Sequence, residues 1–597
     1  MGLWLCATQA LALSPGDPDP TFGSAGVVYH SLGSGLSPSA RLDAVALQPD
    51  GKIVVAGRGT DASGHDSFLV ARLNSDGSLD PSFAVGGVFM PQLGSGSPAF
   101  SAAHALALQP DGKILAGGEA NGSPGGFMLV RLNSNGTPDS DFGDNGKVFA
   151  KLPSDGPDYP VVNALAVQPD GGIVAAGTAV FSDSTHSTNE VMVSRLKGTD
   201  GSVDGAFSLG GLLLDQLAPP AISQHSQVYT VALGPGGQIV VAGSIDPGLP
   251  EPMVMRLGGV DGQFDPTFGD GGVATYRPYP DGDSAGDLLG MALTPGRDVI
   301  AGGWAFGQNV LGEPAALVKL KAADGSFDPN FGQGGKLFEF LGAGPDPQAQ
   351  INSVAAQPDG QIVVAGFATD SNGNHRSLIG RISGSSGASD PAFGSGGQDL
   401  RQLDSGANPT SEFTAVAVQP DGKIAAAGLA GARVVVERVL GAPTTSGGDG
   451  SSPGGGAGGN QLGPQNLVAT ISKLGITPTV FSAAPSGPSI AKTIGAQVSY
   501  ENTQAATTML TVLRPARGVR YKGSCVKPSR RRHGKRCTRW VAVGRFTHTD
   551  KAGLNSFHFT GRVYGRKLKP GRYKLRARPR FAGPDGKAVE VNFRIVK

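Results

Sequence analysis

Cysteine is scarce: three occur in 597 residues, and one of them, Cys6, lies in the apolar leader Leu3-Trp4-Leu5-Cys6-Ala7. The other two, Cys525 and Cys537, are isolated from any other thiol once the leader is removed, and are expected to be bridged in an exported protein. Such a bridge closes a 13-residue loop, worth roughly 3 kcal/mol by loop-closure entropy. Long apolar runs are missing too. No segment beyond the leader has 18 consecutive apolar residues, which excludes a spanning helix. Lys and Arg are absent before Arg41, so the leader lacks the charged start of a complete signal peptide. It nevertheless ends in Ala10-Leu11-Ala12, a small-x-small cleavage pattern, and residues 1–12 are expected to be a truncated signal peptide. Helical periodicity is absent throughout, which excludes an α-helical or α/β architecture.

Acidic residues are almost absent from the last part of the chain. Residues 466–597 hold 27 of the 49 Lys and Arg but only Glu501, Asp550, Asp585 and Glu590, a net +23, whereas residues 1–465 carry a net −22. Such asymmetry reports an interaction, with an outside polyanion or between the two parts. What is abundant is Gly (94) and Pro (44), set among short runs of Val, Ile, Leu and Phe. Apolar residues make up 39 % of the chain, enough to be buried in a turn-rich all-β protein.

One phrase recurs. It reads Gln48-Pro49-Asp50-Gly51-Lys52-Ile53-Val54-Val55-Ala56-Gly57, with copies beginning at Gln109, Gln168, Gly234, Thr294, Gln357 and Gln419. A second phrase, Asp-x-x-Phe, begins at Asp19, Asp80, Asp139, Asp204, Asp265, Asp328 and Asp390, with phenylalanines 61, 59, 65, 61, 63 and 62 residues apart. A period near 60 marks a repeat architecture. In the first repeat four segments are strand-like: Gly26 to Tyr29, Ala44 to Leu47, Ile53 to Ala56 and Phe68 to Leu73. Pro49-Asp50-Gly51-Lys52 is a tight turn, in which proline pre-sets φ and glycine accepts a positive one. Four short antiparallel strands repeated seven times predict a seven-bladed β-propeller over residues 13–443, closing between the segment after Phe22 and a last strand near Val434–Val439.

These phrases resemble the delta-60 repeat proteins of bacteria, β-propellers of unknown molecular function. The resemblance rests on the first phrase, on the stretch Arg72-Leu73-Asn74 through Leu79, Asp80 and Phe83, and on the period, and it covers about residues 17–440. It implies a fold and a surface location, and no reaction. Copies four and five depart from the pattern at Gly234-Pro235-Gly236-Gly237 and Thr294-Pro295-Gly296-Arg297, which puts the geometry of those turns in question.

The repeated polar residues read as scaffold. The fourth segment of each repeat carries Arg72, Arg131, Arg195, Arg256, Lys319, Arg381 or Arg438, and in all but the last copy the aspartate of Asp-x-x-Phe follows eight or nine residues later. A group present in every copy braces every blade, by an Arg–carboxylate pair or an Asx-turn, and does not make one active site. Function lies in what breaks the repeat. One pair of connections is uniform; the other varies, at 58–67, 119–126, 178–190, 244–252, 304–314 and 367–377, and gathers on one rim as a recognition face.

No catalytic or metal-ligating set is expected, and no cofactor. His65, His186 and His375 fall in variable loops of separate repeats, too far apart around a ring for a shared metal. Asn74-x-Asp76-Gly77 lacks the ligand count of a calcium loop in its later copies. Gly450-Ser451-Ser452-Pro453-Gly454 matches Gly-x-Ser-x-Gly but sits in a Gly/Ser/Pro linker, 444–465, and not on a strand-to-helix elbow.

From residue 466 to 597 alternating strands reappear, at 509–513, 540–546, 556–559, 573–577 and 589–595. In the last, Val589, Val591, Phe593 and Ile595 share one face, as in a half-buried antiparallel strand. An immunoglobulin-like β-sandwich is the expected architecture, similar to C-terminal modules of secreted bacterial proteins. Arg530, Arg531, Arg532, Lys535 and Arg536 lie between the two cysteines, a basic loop suited to an anionic polymer. The expectation is a monomeric extracellular or cell-surface binding protein. Its partner is an anionic cell-wall polymer, a glycan or another surface protein, and no specific nucleic acid is expected. The alternative is a propeller-fold polysaccharide lyase or hydrolase, distinguished by carboxylates, histidine or tyrosine converging at one end of the axial channel.

Overall fold

The computed structural model describes residues 13–441 apart from 35–37, 97–98, 122–126, 151–158, 183–186, 209, 216–225, 247–248, 280–283, 308–309, 311, 340, 344–345 and 407–408. It further describes 471–596 apart from 485–489, 492–494, 503–505, 522–523, 527–534, 551–552, 564–565 and 581–587. The leader at 1–12 and the linker at 444–465 lie outside the described residues. The chain divides into two compact units, Met1–Gly463 and Pro464–Lys597. It is an all-β protein, with a single 3-10 turn at Pro235–Gly237 among the described residues and no helix long and apolar enough to cross a membrane.

The described strands of the first unit form seven four-stranded antiparallel sheets. The first consists of Ala40–Leu47, Ile53–Thr60, Asp66–Leu73 and Val88–Phe89, in that order. Five more follow the same plan, opening on Ser101–Leu108, Tyr159–Val167, Gln227–Leu233, Ser284–Leu293 and Ala349–Ala356. The seventh is assembled from both ends of the unit. Ser411–Val418, Ile424–Ala430 and Arg433–Val439 take Val27–His30 as their fourth strand, with Val28 opposite Val436.

This corrects the grouping of Gly26 to Tyr29 with the first repeat's other segments. The repeated phrase has no preferred starting point, whereas a closed set of sheets does. Pairing the first strand with the last covers an edge that would otherwise present unpaired N–H and C=O groups.

The middle strands of each sheet are buried on both faces, so they read as continuous apolar runs and not as alternating ones. Val54, Ala56, Phe68 and Val70 pack on Ile114, Ala116, Met128 and Val130 of the next sheet. On the opposite face Val55, Leu69 and Ala71 pack on Ala425, Ala427, Val434 and Val436 of the seventh. The opening strands contact one another in sequence, and that of the seventh contacts that of the first. All seven phenylalanines of Asp-x-x-Phe are fully buried. Each sits where truncation to alanine costs about 3–5 kcal/mol.

The turn after each opening strand holds its fourth residue left-handed: Gly51 has φ +82° and Gly237 φ +85°. In the fifth copy this position is Arg297, at φ +76°. The departure in sequence therefore leaves the turn's hand unchanged and places a side chain where only glycine is unstrained.

The second unit holds two main sheets. One orders Ile471–Thr477, Ala496–Asn502, Gly553–Phe559 and Ile490–Ala491. The other runs Val480–Ser482, Val589–Val596, Gly571–Arg580, Ala506–Tyr521 and Ser524–Val526, with Arg536–Asp550 also paired to Ala506–Tyr521. Tyr500, Leu510, Val512, Phe557, Phe559, Leu575, Phe593 and Ile595 form its core. Phe593 and Ile595 are buried while Glu590, Asn592 and Arg594 are exposed, the alternation read from the sequence. Cys525 and Cys537 are bridged, their Cα atoms 6.1 Å apart.

Candidate functional site

The repeated cation and the Asp-x-x-Phe phrase form one unit of structure. In the first sheet Arg72 Nε donates to Asp80 Oδ2 at 2.8 Å, its guanidinium lies over the Phe83 ring at 4.7 Å, and Nη1 donates to the Ser134 carbonyl in the next sheet. Asp80 Oδ1 in turn accepts from the Ser82 backbone and hydroxyl, an Asx-turn. The pattern recurs. Arg131 bonds Asp139 and Gly198, Arg256 bonds Asp265 and Ala322, Arg381 bonds Asp390 and Gly441, and Lys319 bonds Asp328 at 2.8 Å. Arg195 contacts Asp204 and adds Asp170 at 2.6 Å, in the copy where Gly172 replaces the lysine of the turn. Where that lysine is present it reaches the same carboxylate: Lys52 to Asp80, Lys113 to Asp139, Lys423 to Asp19. Each buried charge thus has an opposite charge, hydrogen bonds and an aromatic face or a second ion, as burial in a low dielectric requires.

The other set was missed by sequence reasoning. Each opening strand carries one bulged residue that has no partner in the register. These are Asp43, His104, Asn163, Tyr229, Leu289, Asn352 and Thr414. A bulge re-aims its side chain, and here six of the seven are polar on strands that are otherwise largely apolar. Several reach the neighbouring sheet: Asn163 donates to the Val228 carbonyl, Asn352 to that of Phe413, and Thr414 to that of Leu42.

Charge gathers in one sector of this set. His104 Nδ1 donates to Asp43 at 3.2 Å and Nε2 to Glu119 at 3.1 Å, while Arg41 binds Asp43 at 2.8 Å and approaches Glu412 at 3.4 Å. Burial lowers the affinity of His104 for its proton, but the hydrogen bonds and charges of Asp43 and Glu119 outweigh it and raise the pKa to about 9. At neutral pH the ring is held as an imidazolium with both N–H groups engaged by these carboxylates, which suits it to brace the sector and not to accept a proton. The signal in sequence was a polar residue at the matching position of six of the seven opening strands, invisible until bulges fixed the alignment.

The remaining sequence candidates are scattered. His375 stacks on Phe367 within its own sheet, with centroids 3.9 Å apart, and His186 lies outside the described residues. Among the described residues no group of three His, Cys, Asp or Glu is placed to hold a metal ion. In the second unit Lys535 and Arg536 are exposed beside the bridged cysteines; Arg530, Arg531 and Arg532 lie outside the described residues. A buried node there was also unforeseen. Asp550, one of the four acidic residues of that region, accepts from Tyr500 Oη at 2.5 Å, Asn502 Nδ2 at 2.8 Å, His548 Nδ1 at 2.7 Å and the Thr508 hydroxyl. It ties one sheet to the other.

Residues 48–83, 109–142 and 357–393 match the family described as "Domain of unknown function (DUF5122) beta-propeller". The chain is a β-propeller repeat protein. The chain is similar to a Dyadobacter fermentans protein of unknown function, at 14 % identity and a TM-score of 0.37, over 60 % of this chain and 98 % of that one. PorZ, a surface component of the type-IX secretion system of Porphyromonas gingivalis, is similar at 9 % identity and a TM-score of 0.24, over 93 % and 81 % of the two chains. The Bacillus subtilis arabinanase Arb43A is similar at 10 % and 0.24, over 56 % and 92 %. At these scores none bears on what the propeller binds. No curated protein matches the sequence.

Proposed function

We propose that this chain is a secreted or cell-surface binding protein. In this reading the seven sheets are the blades of a seven-bladed propeller, the variable rim is its recognition face, and the second unit is an immunoglobulin-like module contacting an anionic wall polymer through its basic surface. The observation that carries the reading is the contrast between the two ends of the sheets. The turns at one end are locked to each other by the repeated Arg–Asp–Phe stack, whereas the loops at the other differ in every copy. Rigid scaffold below and variable loops above is the usual arrangement for recognition. Leu249 and Phe306, both exposed, lie in the variable segments 244–252 and 304–314, Phe306 at the end of the strand Val299–Gly307, and supply apolar contact. The test is a glycan and wall-polymer binding screen of the full chain, repeated with Leu249→Ser/Phe306→Ser. Loss of a propeller ligand on this change supports the rim; a ligand retained by it refutes the rim as the face.

A second reading, a polysaccharide hydrolase or lyase, draws support from Asp43, Glu119 and Glu412 around His104 and Arg41. Against it, both nitrogens of His104 are already committed to carboxylates. Release of reducing ends or unsaturated sugar from a polysaccharide panel, abolished by Asp43→Asn, would decide for the enzyme.

A further inference from the structure

The larger sheet of the second unit has one face in the core and one outside it. On Gly571–Arg580, Tyr573, Leu575 and Ala577 point inward and are buried, so Arg572, Lys574, Arg576 and Arg578 share the outer face. The register extends this row sideways. Arg594 stands directly opposite Arg572, and Arg576 is opposite Thr511, which is itself opposite Arg545. Arg545, Arg572, Arg578 and Arg594 are exposed.

Acid is nearly missing from this face. Of the four acidic residues in this region, Asp550 is buried, Glu501 pairs with Lys473 on the other sheet, and Asp585 lies outside the described residues. Glu590 alone remains, bonded to Lys574 and Arg576 at 2.8 Å each. Like charges directly across a strand pair destabilise the sheet. The juxtaposition of Arg572 and Arg594 is therefore a local cost that folding does not explain and a bound anion would relieve.

We infer that this sheet face, and not the loop between the cysteines alone, is the binding surface for an extended phosphodiester-linked polyol polymer. The inference rests on the reading of the second unit as a polymer-contacting module and assigns the site within it. Alternate residues along a strand repeat at about 6.8 Å, with neighbouring strands about 4.8 Å apart. The face is thus a flat grid of cations that meets an extended chain bearing a charge at each short repeat. Arginine's planar fork suits phosphate oxygens. Single-stranded nucleic acid would need aromatic platforms for its bases, and the ring of Trp540 is covered by the Lys574 ammonium at 4.8 Å.

The test uses the full chain and purified poly(glycerol phosphate), with affinity measured from low to high salt. Arg572→Ser/Arg576→Ser/Arg594→Ser should weaken binding by about tenfold or more and flatten the salt dependence by two to three charges. The lysine triple Arg572→Lys/Arg576→Lys/Arg594→Lys should keep most of the affinity, which separates charge loss from misfolding. Arg530→Ser/Arg531→Ser/Arg532→Ser should change it far less. Full loss in the loop variant with none in the sheet variant would overturn the inference while leaving the polymer-contacting module standing. No binding by the unaltered protein would remove both. Tighter binding to an oligothymidylate of equal charge would overturn the choice of polymer.

Discussion

Arg438 and Asp19 are separated by 419 residues and form a buried ion pair, Nε to Oδ2 at 2.7 Å. The Arg438 guanidinium lies over Phe22 at 4.6 Å and Nη1 donates to the Ser75 carbonyl at 2.6 Å. Within the other sheets the same cation–aspartate pair joins residues eight or nine apart. At the seam it joins the two ends of the propeller, alongside the Val27–His30 strand pairing.

Asp19→Ala is expected to destabilise the propeller by about 3–5 kcal/mol, the cost of leaving a buried charge unpaired. Asp265→Ala, whose carboxylate is more exposed and whose sheet is continuous in sequence, should cost less. Urea unfolding of the two variants decides this, and equal losses would show that the seam pair has no special weight. Burial raises the Asp19 pKa, but hydrogen bonds from Thr21 and Lys423 and the charge of Arg438 outweigh it and hold the carboxyl well below its ordinary range. With a depressed folded pKa, its contribution is present above about pH 4 and is lost as pH falls toward the folded value.

Alkaline pH should loosen the propeller as well. His104 is raised from 6.5 to about 9, and Glu437 from 4.5 to about 8, in its case by burial first, with Arg401 only partly opposing. Arg401 Nη1 lies 2.8 Å from Glu437 yet out of line for a hydrogen bond. Both groups bind more protons folded than unfolded, so stability is full below their ordinary pKa values and declines as pH rises from 4.5 to about 8 for Glu437 and from 6.5 to about 9 for His104. Each contributes a slope of up to about 1.4 kcal/mol per pH unit in its window. Melting temperature against pH should flatten between 6.5 and about 9 in His104→Asn and between 4.5 and about 8 in Glu437→Gln; unchanged profiles would contradict the assignment.

Arg297→Gly should stabilise the propeller by about 1 kcal/mol, the left-handed strain relieved less the added chain entropy. Its φ of +76° is held by glycine in the other copies of this turn. A denaturation midpoint that falls would mean the Arg297 side chain makes a compensating contact.

Reducing the Cys525–Cys537 bridge should lower the stability of the second unit by about 3 kcal/mol on the entropic account. Cys525→Ser/Cys537→Ser should match the reduced protein, and a melt unaltered by reductant would refute the contribution.

Much of the fold was legible because its physics is local and repeated. Pro49-Asp50-Gly51 dictates its turn, Ile53 to Ala56 its strand, and the sevenfold return of Asp-x-x-Phe its period. The pairing partners of Arg72 and Asp80 were legible too, being eight residues apart on one turn. What depends on distant backbone was not. The closing of the segment after Phe22 on the last strand was expected, but the register of Val27–His30 on Arg433–Val439 and the match of Asp19 to Arg438 exist only once the sheets close, because each satisfies groups that the open chain leaves to water. The bulges that bring Asp43 to His104 and Glu119 are defined by strand register, which no single segment encodes. In the second unit charge was plain from composition, but alternation alone could not say which strands adjoin. Sequence thus determined the repeat, its turns, the place of its closure and its charge; tertiary structure decided the ion pair at the seam, the bulged polar set and the cationic grid, since each is made by residues that meet only across sheets or strands.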